Sequence, residues 1–333
     1  MKRIFCLLII TAMCILVVAE KYDDFSVFGR GELTSSFVRC LYSDGYRLFI
    51  GTDRGLNIKD GTKFLQKYAD YPVFEPNSVK MVKGNSFLVN NMVNDIERIG
   101  EKYYVATDGG ISVYKYESDI GTNFYKNNLL ILDTNYINAL AKLGDRLFVG
   151  TADKGLFTWD TSGDTWRHVN KDTEKGSMGK FDALSVNCIK VNEEDGLVIV
   201  GSKYKGLYIY KDGTWRNINK KLGMSMLPSD EILSLEFQGD KLWIGTNKGL
   251  VLLVSGRRFK LYKEKNGIKY PVILSLKNIN GKIYFGTGRG LYYIDEDENP
   301  QMVPDTEEYR ILDIELHDDM IWLATQNNGL ISL

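Results

Sequence analysis

The side chains best suited to chemistry in this sequence are basic ones that recur at one position of a repeated turn. The residue directly before the turn glycine is basic in five of seven copies, at Arg54, Lys154, Lys205, Lys248 and Arg289. Tyr204 places an aromatic ring beside Lys205. Cationic side chains gathered on one face concentrate positive charge, which attracts and holds anions. The pattern therefore predicts a ligand-binding site at these residues.

A second interpretation of the same turns stays open. The position also tolerates long polar side chains, so the basic residues could simply be solvated. Aspartates adjoin three of the tips and would cancel part of the positive charge: Asp53, Asp108 and Asp153.

Residues suited to catalysis are scarce. Histidine occurs only at His168 and His317, and no serine or cysteine stands in a recognisable nucleophile motif. Asp95 and Asp313 occupy aligned positions on two inner strands, where carboxylates could hold a central metal. The other repeats carry Cys, Ala or Ser at this position, which indicates that a small side chain is required. We predict no enzymatic activity, no cofactor and no metal.

The first residues have the features of an export signal. Lys2 and Arg3 precede an apolar run from Ile4 to Ala19, after which signal peptidase can cleave. The run is shorter than the roughly 20 residues that a membrane-spanning helix needs. We predict a signal peptide at 1–19, with an uncleaved N-terminal anchor as the alternative and the only membrane contact. The mature chain is then periplasmic or secreted.

Charge and cysteine content exclude some partners and frameworks. Without residues 1–19, 40 Lys and Arg face 43 Asp and Glu, a formal net charge of −3. A nucleic-acid partner would require a basic surface and is not expected. The two remaining cysteines, Cys40 and Cys188, are too few for a disulfide framework, and two buried thiols are favoured over one bridge.

One motif recurs seven times after the export signal. It consists of an apolar trio, Gly or Ala, Thr or Ser, two or three polar residues, Gly, and Leu or Ile, as in Leu242 to Leu250. The Gly or Ala positions, called anchors below, are residues 51, 106, 150, 201, 245, 286 and 324. A strand-rich repeat of about 40–45 residues is typical of a propeller blade. We predict an all-β, seven-bladed β-propeller over residues 20–333.

Each repeat predicts a four-stranded blade with the apolar trio as its second strand. The hydroxyl after the anchor is expected to bond the turn backbone, and the turn glycine to have a positive φ. The fourth strand is expected to open on an aromatic residue or, in blade 6, on methionine: Phe64, Phe124, Trp166, Trp215, Phe259 and Met302. Asp24 to Phe28 should complete the seventh blade and close the ring. Three long loops are predicted, at 71–91, 171–184 and 223–228.

The stretch from Leu242 to Leu250, Leu-Trp-Ile-Gly-Thr followed by a polar pair and Gly-Leu, resembles the two-component regulator propeller repeat. The resemblance covers about residues 24–333. It implies the extracytoplasmic sensor part of a bacterial signalling receptor. In such receptors, two propellers are often followed by a membrane span and a kinase. This sequence carries one ring and no kinase, so we do not expect signal output through its own chain.

Three classes of function follow from these observations. The first is sensor-like, non-catalytic binding of a glycan or another anionic small molecule on the face with the turn tips. The alternative is a protein-interaction scaffold that docks an envelope or receptor partner. An enzyme of the lyase or lactonase kind is the third class, and the scarcity of histidine counts against it.

Overall fold

A computed structural model describes residues 26–29, 31–75, 78–169, 181–219, 227–254 and 258–333. Within these residues, seven four-stranded antiparallel sheets form the blades of a ring. Each inner strand packs beside the inner strands of both neighbouring blades, and that of the seventh packs beside that of the first. The prediction of an all-β, seven-bladed propeller is confirmed. The proposed export signal at 1–19 lies outside the described residues.

The strands are numbered in chain order, and β1 (Ser26–Phe28) belongs to the last blade. Blade 1 consists of β2 (Val38–Ser43), β3 (Arg47–Thr52), β4 (Gly55–Asp60) and β5 (Lys63–Lys67). A hairpin of β6 (Tyr71–Glu75) and β7 (Ser78–Val82) follows it. Blades 2 and 3 are β8 (Val93–Ile99), β9 (Lys102–Thr107), β10 (Gly110–Lys115) and β11 (Ile120–Phe124), then β12 (Ile137–Leu143), β13 (Arg146–Thr151), β14 (Leu156–Asp160) and β15 (Thr165–Val169).

The second half of the ring repeats this order. Blades 4 and 5 are β16 (Val186–Asn192), β17 (Leu197–Ser202), β18 (Leu207–Lys211) and β19 (Thr214–Ile218), then β20 (Ile232–Gln238), β21 (Lys241–Thr246), β22 (Gly249–Val254) and β23 (Arg258–Tyr262). After a short 3₁₀ helix (Glu264–Asn266), blade 6 holds β24 (Ile273–Ile279), β25 (Lys282–Thr287), β26 (Leu291–Ile294) and β27 (Pro300–Met302). Blade 7 holds β28 (Ile311–His317), β29 (Met320–Thr325) and β30 (Leu330–Ser332).

The apolar trio of each repeat is continuous because neighbouring blades cover both faces of the second strand. In blade 3, Leu147 and Val149 pack against blade 2, whereas Phe148 packs against blade 4. All three side chains are buried. A strand that is covered on both faces shows an unbroken apolar run instead of alternating apolar and polar residues.

The hydroxyl that follows each anchor holds the turn together, as predicted. Thr246 Oγ1 donates to the carbonyl of Gly249 at 2.8 Å and accepts the N–H of Lys248 at 3.1 Å. The same two bonds recur in the other six blades. All seven hydroxyl residues are fully buried, and the turn glycines have positive φ, 134° at Gly249. These hydroxyls therefore belong to the scaffold.

The ring closes through the first described strand, as predicted. β1 pairs antiparallel with β30, with Val27 opposite Ile331. Phe28 places its ring 5.3 Å from that of Phe64 and 5.7 Å from that of Trp322. The start of the described chain thus joins the last blade to the first.

One inner-strand position varies together with the anchor in six blades. In blade 3, Ala139 pairs with Gly150, and Val186 of the next blade fills the space beside the glycine. Where the inner-strand position holds Cys or Ser, its strand partner is Gly: Cys40 with Gly51, Cys188 with Gly201, Ser234 with Gly245 and Ser275 with Gly286. Where it holds Asp, the partner is Ala: Asp95 with Ala106 and Asp313 with Ala324. The short side chains of the first group lie where a Cβ on the glycine would stand. The aspartates instead reach toward the next blade, which leaves room for the alanine methyl group.

Two details of the sequence prediction are wrong. Phe124 and Met302 end their outer strands instead of opening them, while the other four predicted aromatics are the second residues of theirs. The predicted loop 71–91 contains the β6–β7 hairpin. Its Tyr71, Val73 and Phe74 have the β propensity of a strand. Of the other two predicted loops, most residues lie outside the described chain.

Candidate functional site: the upper face and the central channel

The predicted binding residues lie on one face of the ring, called the upper face here. The turn glycines donate to the segments that connect successive blades, for example Gly155 N to Leu184 O at 2.7 Å and Gly206 N to Asp230 O at 2.9 Å. Gly290 and Gly329 do the same with Tyr309 and Ser36. The turn tips and the connecting segments therefore share a face, as the sequence predicted.

Carboxylates from the connecting segments neutralise two of the predicted cations. Lys154 Nζ lies 3.0 Å from Asp133, whose pKa is lowered to about 2 by hydrogen bonds from Lys126 and Lys154. Lys205 Nζ lies 3.1 Å from Asp182. Partial burial raises the pKa of Asp182, but hydrogen bonds from Tyr208 and Lys205 outweigh it and the net shift is downward. The positive charge of the tips is therefore weaker than the sequence alone indicates.

The other predicted residues are more accessible. Arg54 and Lys248 are exposed, and neither forms an ion pair with any residue that the structure describes. Arg289 lies over the ring of Tyr270, with its guanidinium carbon 5.5 Å from the ring centre. Tyr204 is 69% exposed, beside Lys203. The structure thus spreads the six residues around the rim and does not gather them into one pocket. Their role in binding stays a prediction.

Arg54 borders a large cleft, of about 880 Å³. The β6–β7 hairpin forms one wall with Tyr71 and Phe74, and Tyr68 adds a third aromatic ring. Phe74 is 78% exposed. Asp53 lies next to Arg54, and its buried Oδ1 has no hydrogen-bond partner among the described residues. Aromatic walls with a guanidinium and a carboxylate are suited to a polar ligand that has apolar faces.

The sequence reasoning identified parts of this cleft without assembling them. Arg54 was predicted at a turn tip, and Tyr71, Phe74 and Asn91 fall in the predicted loop 71–91. Tyr68 was not singled out, and Asp53 was given only a weakening role. The fold brings these residues together although Asp53 and Asn91 are 38 positions apart in the sequence. Phe87, in the same predicted loop, is structural because it stacks on Tyr114 at 4.0 Å.

The central channel is a second polar space, of about 480 Å³. Three asparagines on adjacent inner strands, Asn94, Asn138 and Asn187, each donate to a carbonyl of the next blade at 2.8–2.9 Å. Lower in the channel, Lys190 pairs with Glu236 at 2.8 Å and Lys277 with Glu315 at 2.7 Å. These side chains satisfy one another, so the channel connects blades more than it offers open ligand contacts.

Asp95 and Asp313 also bridge blades along this channel. Asp95 Oδ2 accepts the N–H of Leu140 at 2.7 Å, and Asp313 Oδ2 accepts that of Leu41 at 2.8 Å. Desolvation in the narrow channel raises the pKa of Asp95 to about 8, with a smaller contribution from the charge of Asp313. Desolvation likewise raises the pKa of Asp313 to about 6.

The elevated pKa of Asp95 predicts a loss of stability in alkali. The folded pKa of about 8 exceeds the unfolded value of about 3.9, so the folded state holds an extra proton between them. This contribution is complete below about pH 4 and is lost as pH rises through 8. We expect Asp95→Asn to flatten the curve of Tm against pH over this window and to melt above wild type at pH 9. The measurement is differential scanning fluorimetry, and parallel curves for the two proteins would contradict the assignment.

Neither histidine stands in a catalytic arrangement. His168 stacks on Phe157 and its Nε2 lies 2.7 Å from the carbonyl of Lys154, while His317 is buried and hydrogen-bonds Ser43. Cys40 and Cys188 are free thiols, as favoured from the sequence, but only Cys40 is buried and Cys188 is half-buried. In the described residues no three His, Cys, Asp or Glu side chains lie close enough to hold a metal ion. No helix of the described chain is long and apolar enough to cross a membrane.

Comparison with solved structures gives neighbours for the ring. The extracellular domain of hybrid two component system BT3049 from B. thetaiotaomicron superposes with a TM-score of 0.72 at 20% identity, over 92% of this chain and 41% of that one. The extracellular domain of system BT4673 from the same organism gives 0.72 at 22%, over 93% and 39%. Virginiamycin B lyase from Staphylococcus aureus gives 0.66 at 9%, over 93% and 97%.

This chain spans about two fifths of the length of the two extracellular domains. No family model and no curated protein matches the sequence. At these identities the likeness establishes the fold, and it agrees with the resemblance seen in the repeats. The chain is a seven-bladed β-propeller, and its ring is similar in fold to part of these two extracellular domains.

Proposed function

We propose that this propeller is a non-catalytic, extracytoplasmic ligand-binding module of a sensor, and that its ligand is a glycan or another anionic small molecule. The observation that carries the proposal is the cleft between the Arg54 tip and the β6–β7 hairpin. Two solved neighbours that are extracellular domains of two-component systems support the sensor role and the location outside the cytoplasm. The export signal predicted from the sequence at 1–19 accords with that location.

The chemistry of the cleft favours a hydroxylated ring with an acidic group. The rings of Tyr71 and Phe74 can pack against the apolar faces of such a ring. The Arg54 guanidinium can form a charge-assisted bond to its acidic group. Asp53 offers an acceptor for hydroxyl groups, which a purely apolar or purely anionic ligand would leave unused.

Charge reversal at Arg54 tests the proposal. Binding of a uronic-acid or sulfated disaccharide, chosen from a panel by the increase in Tm, is expected to weaken about 10-fold or more in Arg54→Glu, because a bond to a charged group contributes about 1.5–3 kcal/mol. Calorimetric titration measures the affinity. The matched control is Lys63→Glu, an exposed lysine on the outer strand of the same blade. Equal affinities for Arg54→Glu and wild type, or a panel without any Tm increase, would refute the proposal.

A protein-interaction scaffold is the second candidate, and the hairpin favours it. Phe74, Val79 and Met81 are 78%, 59% and 59% exposed and lie on one face of the hairpin. Exposed apolar side chains at neighbouring positions mark protein-binding surfaces. This candidate requires an envelope protein that binds wild type and not the Val79→Ser, Met81→Ser variant. Both of those positions lie outside the set of residues that line the cleft.

A further inference from the structure

The space between the outer strands of blades 3 and 4, here called the 3/4 wedge, forms a cleft of about 650 Å³. It is separate from the upper-face cleft, and the two share no lining residue. Two exposed arginines, Arg146 on β13 and Arg167 on β15, line it together with Trp166 and Tyr210. In the part of the chain that the structure describes, neither arginine forms an ion pair.

The same two positions in blade 5 show what such a pair of cations does. In blade 3, Phe148 pairs with Thr158 and Thr158 with Arg167, and Arg146 lies two residues before Phe148. In blade 5 the equivalent pairing places Lys241 and Lys260 at the corresponding positions. Both lysines contact one carboxylate of the next blade, Glu298, at 3.2 and 2.9 Å.

Blades 3 and 5 alone carry a basic residue at both positions. In each of the other blades, at most one of the two positions is basic. The residues at the two positions in blades 1, 2, 4, 6 and 7 are, in that order, Arg47 and Leu65, Lys102 and Thr122, Leu197 and Arg216, Lys282 and Gln301, and Met320 and Ser26. In blade 1, Arg47 is the one basic residue of the pair, and its guanidinium lies 3.1 Å from the carboxylate of Glu117 in blade 2. In blades 1 and 5, a carboxylate from the third-to-fourth-strand turn of the next blade thus partners these cations, and Arg47 also contacts Asp44 and Asp60 of its own blade.

Blade 4 does not supply that partner to the 3/4 wedge. Its turn between β18 and β19 is short, and the one acid there, Asp212, forms no ion pair with either arginine among the described contacts. Asp160 lies opposite Arg146 within blade 3, but its Oδ1 binds Ser162 and the N–H of Gly163. Hydrogen bonds from Ser162 and Gly163 and, to a smaller extent, the charge of Arg146 lower the pKa of Asp160. In the described part of the chain, no carboxylate joins both guanidinium groups as Glu298 joins Lys241 and Lys260.

The aromatic lining limits what can replace that carboxylate. Trp166 stacks on Trp159 at 4.6 Å, and Tyr210 packs against Trp215 at 5.0 Å. The indole N–H groups of Trp166 and Trp215 have no hydrogen-bond partner among the described residues. The volume is within the usual range for small-molecule sites. A ligand that combines a carboxylate with a ring fits both the cations and the aromatic side chains.

We infer that the 3/4 wedge is a second binding site, which takes a small ring-bearing carboxylate between Arg146 and Arg167 in the place that Glu298 fills in blade 5. The ring is that of an acidic sugar or of a cyclic organic acid, and both supply the same carboxylate. The site goes beyond the proposed sensor function, because it uses no residue of the upper face.

Tryptophan fluorescence provides the test, since Trp166 and Trp215 line this wedge and no tryptophan lines the upper-face cleft. The probes are glucuronate and cyclohexanecarboxylate, with glucose and cyclohexanecarboxamide as their uncharged counterparts. We expect a saturable change with at least one of the two acids and none with its counterpart. Arg146→Gln with Arg167→Gln should weaken binding at least tenfold, because each lost guanidinium removes a charge-assisted bond.

Two control variants separate this site from other cationic positions. Lys241→Gln with Lys260→Gln makes the same changes where Glu298 already occupies the cations, and it should bind as wild type does. Arg54→Glu should also leave the fluorescence response unchanged. A failure of the proposed upper-face site can therefore be distinguished from a failure of the 3/4 wedge. No response to either acid, an equal response to the uncharged counterparts, or an undiminished response in the double arginine variant would overturn the inference.

Discussion

Replacing Gly245 with alanine is expected to lower the free energy of unfolding by about 2–3 kcal/mol, since overpacking of a filled interior costs about 1–3 kcal/mol. A Cβ at this position would overlap Ser234 Oγ. It would also come within 2.9 Å of both Cγ2 and the carbonyl oxygen of Ile273 in the next blade. Backbone on one side and a β-branched side chain on the other leave little room for relaxation, so the two blades would have to separate.

Urea unfolding followed by tryptophan fluorescence measures this loss, because Trp243 lies on the same strand. Gly163→Ala is the matched control, as its Cβ would meet only Thr165 Oγ1 at 3.7 Å and its φ is ordinary. Adding Ser234→Ala to Gly245→Ala should recover part of the loss, since it removes the closest contact. A Gly245→Ala midpoint equal to that of the control would show that the blades have room for the methyl group.

The space beside the anchor residue also explains why this position varies between Gly and Ala. The sequence alone predicted that the inner-strand position requires a small side chain, and Cys40, Ser234 and their equivalents satisfy that requirement by packing over glycine. Asp95 and Asp313 do not fit this explanation. Their carboxylates turn away from the anchor toward the next blade, and Ala106 and Ala324 occupy the space that they vacate. The two positions vary together because one volume is shared between them.

Much of the fold could be predicted because the same local interactions recur in all seven repeats. The anchor, the hydroxyl and the turn glycine depend on contacts within one hairpin, so the sequence shows them directly. The candidate sites depend on contacts between blades, which do not repeat. Asp133 and Asp182 neutralise Lys154 and Lys205 from connecting segments that differ in length and sequence, and no periodic signal marks such partners.

The 3/4 wedge illustrates the same limit. Arg146 and Arg167 are unremarkable as single residues of a sequence with 42 Lys and Arg. Their significance appears only when strand registers align them with Lys241 and Lys260, because the register shows which carboxylate is missing. Binding residues outside the repeat consensus are therefore found by comparing blades in three dimensions.

Removing residues 1–29 is expected to lower Tm by about 5 °C. The deletion eliminates β1, its pairing with β30 and the packing of Phe28 against Phe64 and Trp322. Loss of a packed phenylalanine costs about 3–5 kcal/mol. With an unfolding entropy of about 2.1 cal/mol/K per residue, each kcal/mol corresponds to about 1.5 °C in a chain of this length. A chain that lacks only residues 1–25 retains the strand and is the matched control.

The deletion should also change how the protein associates. Without β1, the outer edge of β30 is open to pairing with another chain, and such edges promote aggregation. Light scattering should therefore rise with concentration in the deletion variant and not in the control. A peptide of residues 22–31, added in excess, should raise Tm again because it can pair with β30 in place of the missing strand. Equal Tm values for the two truncated chains would show that the ring is held by its inner strands alone.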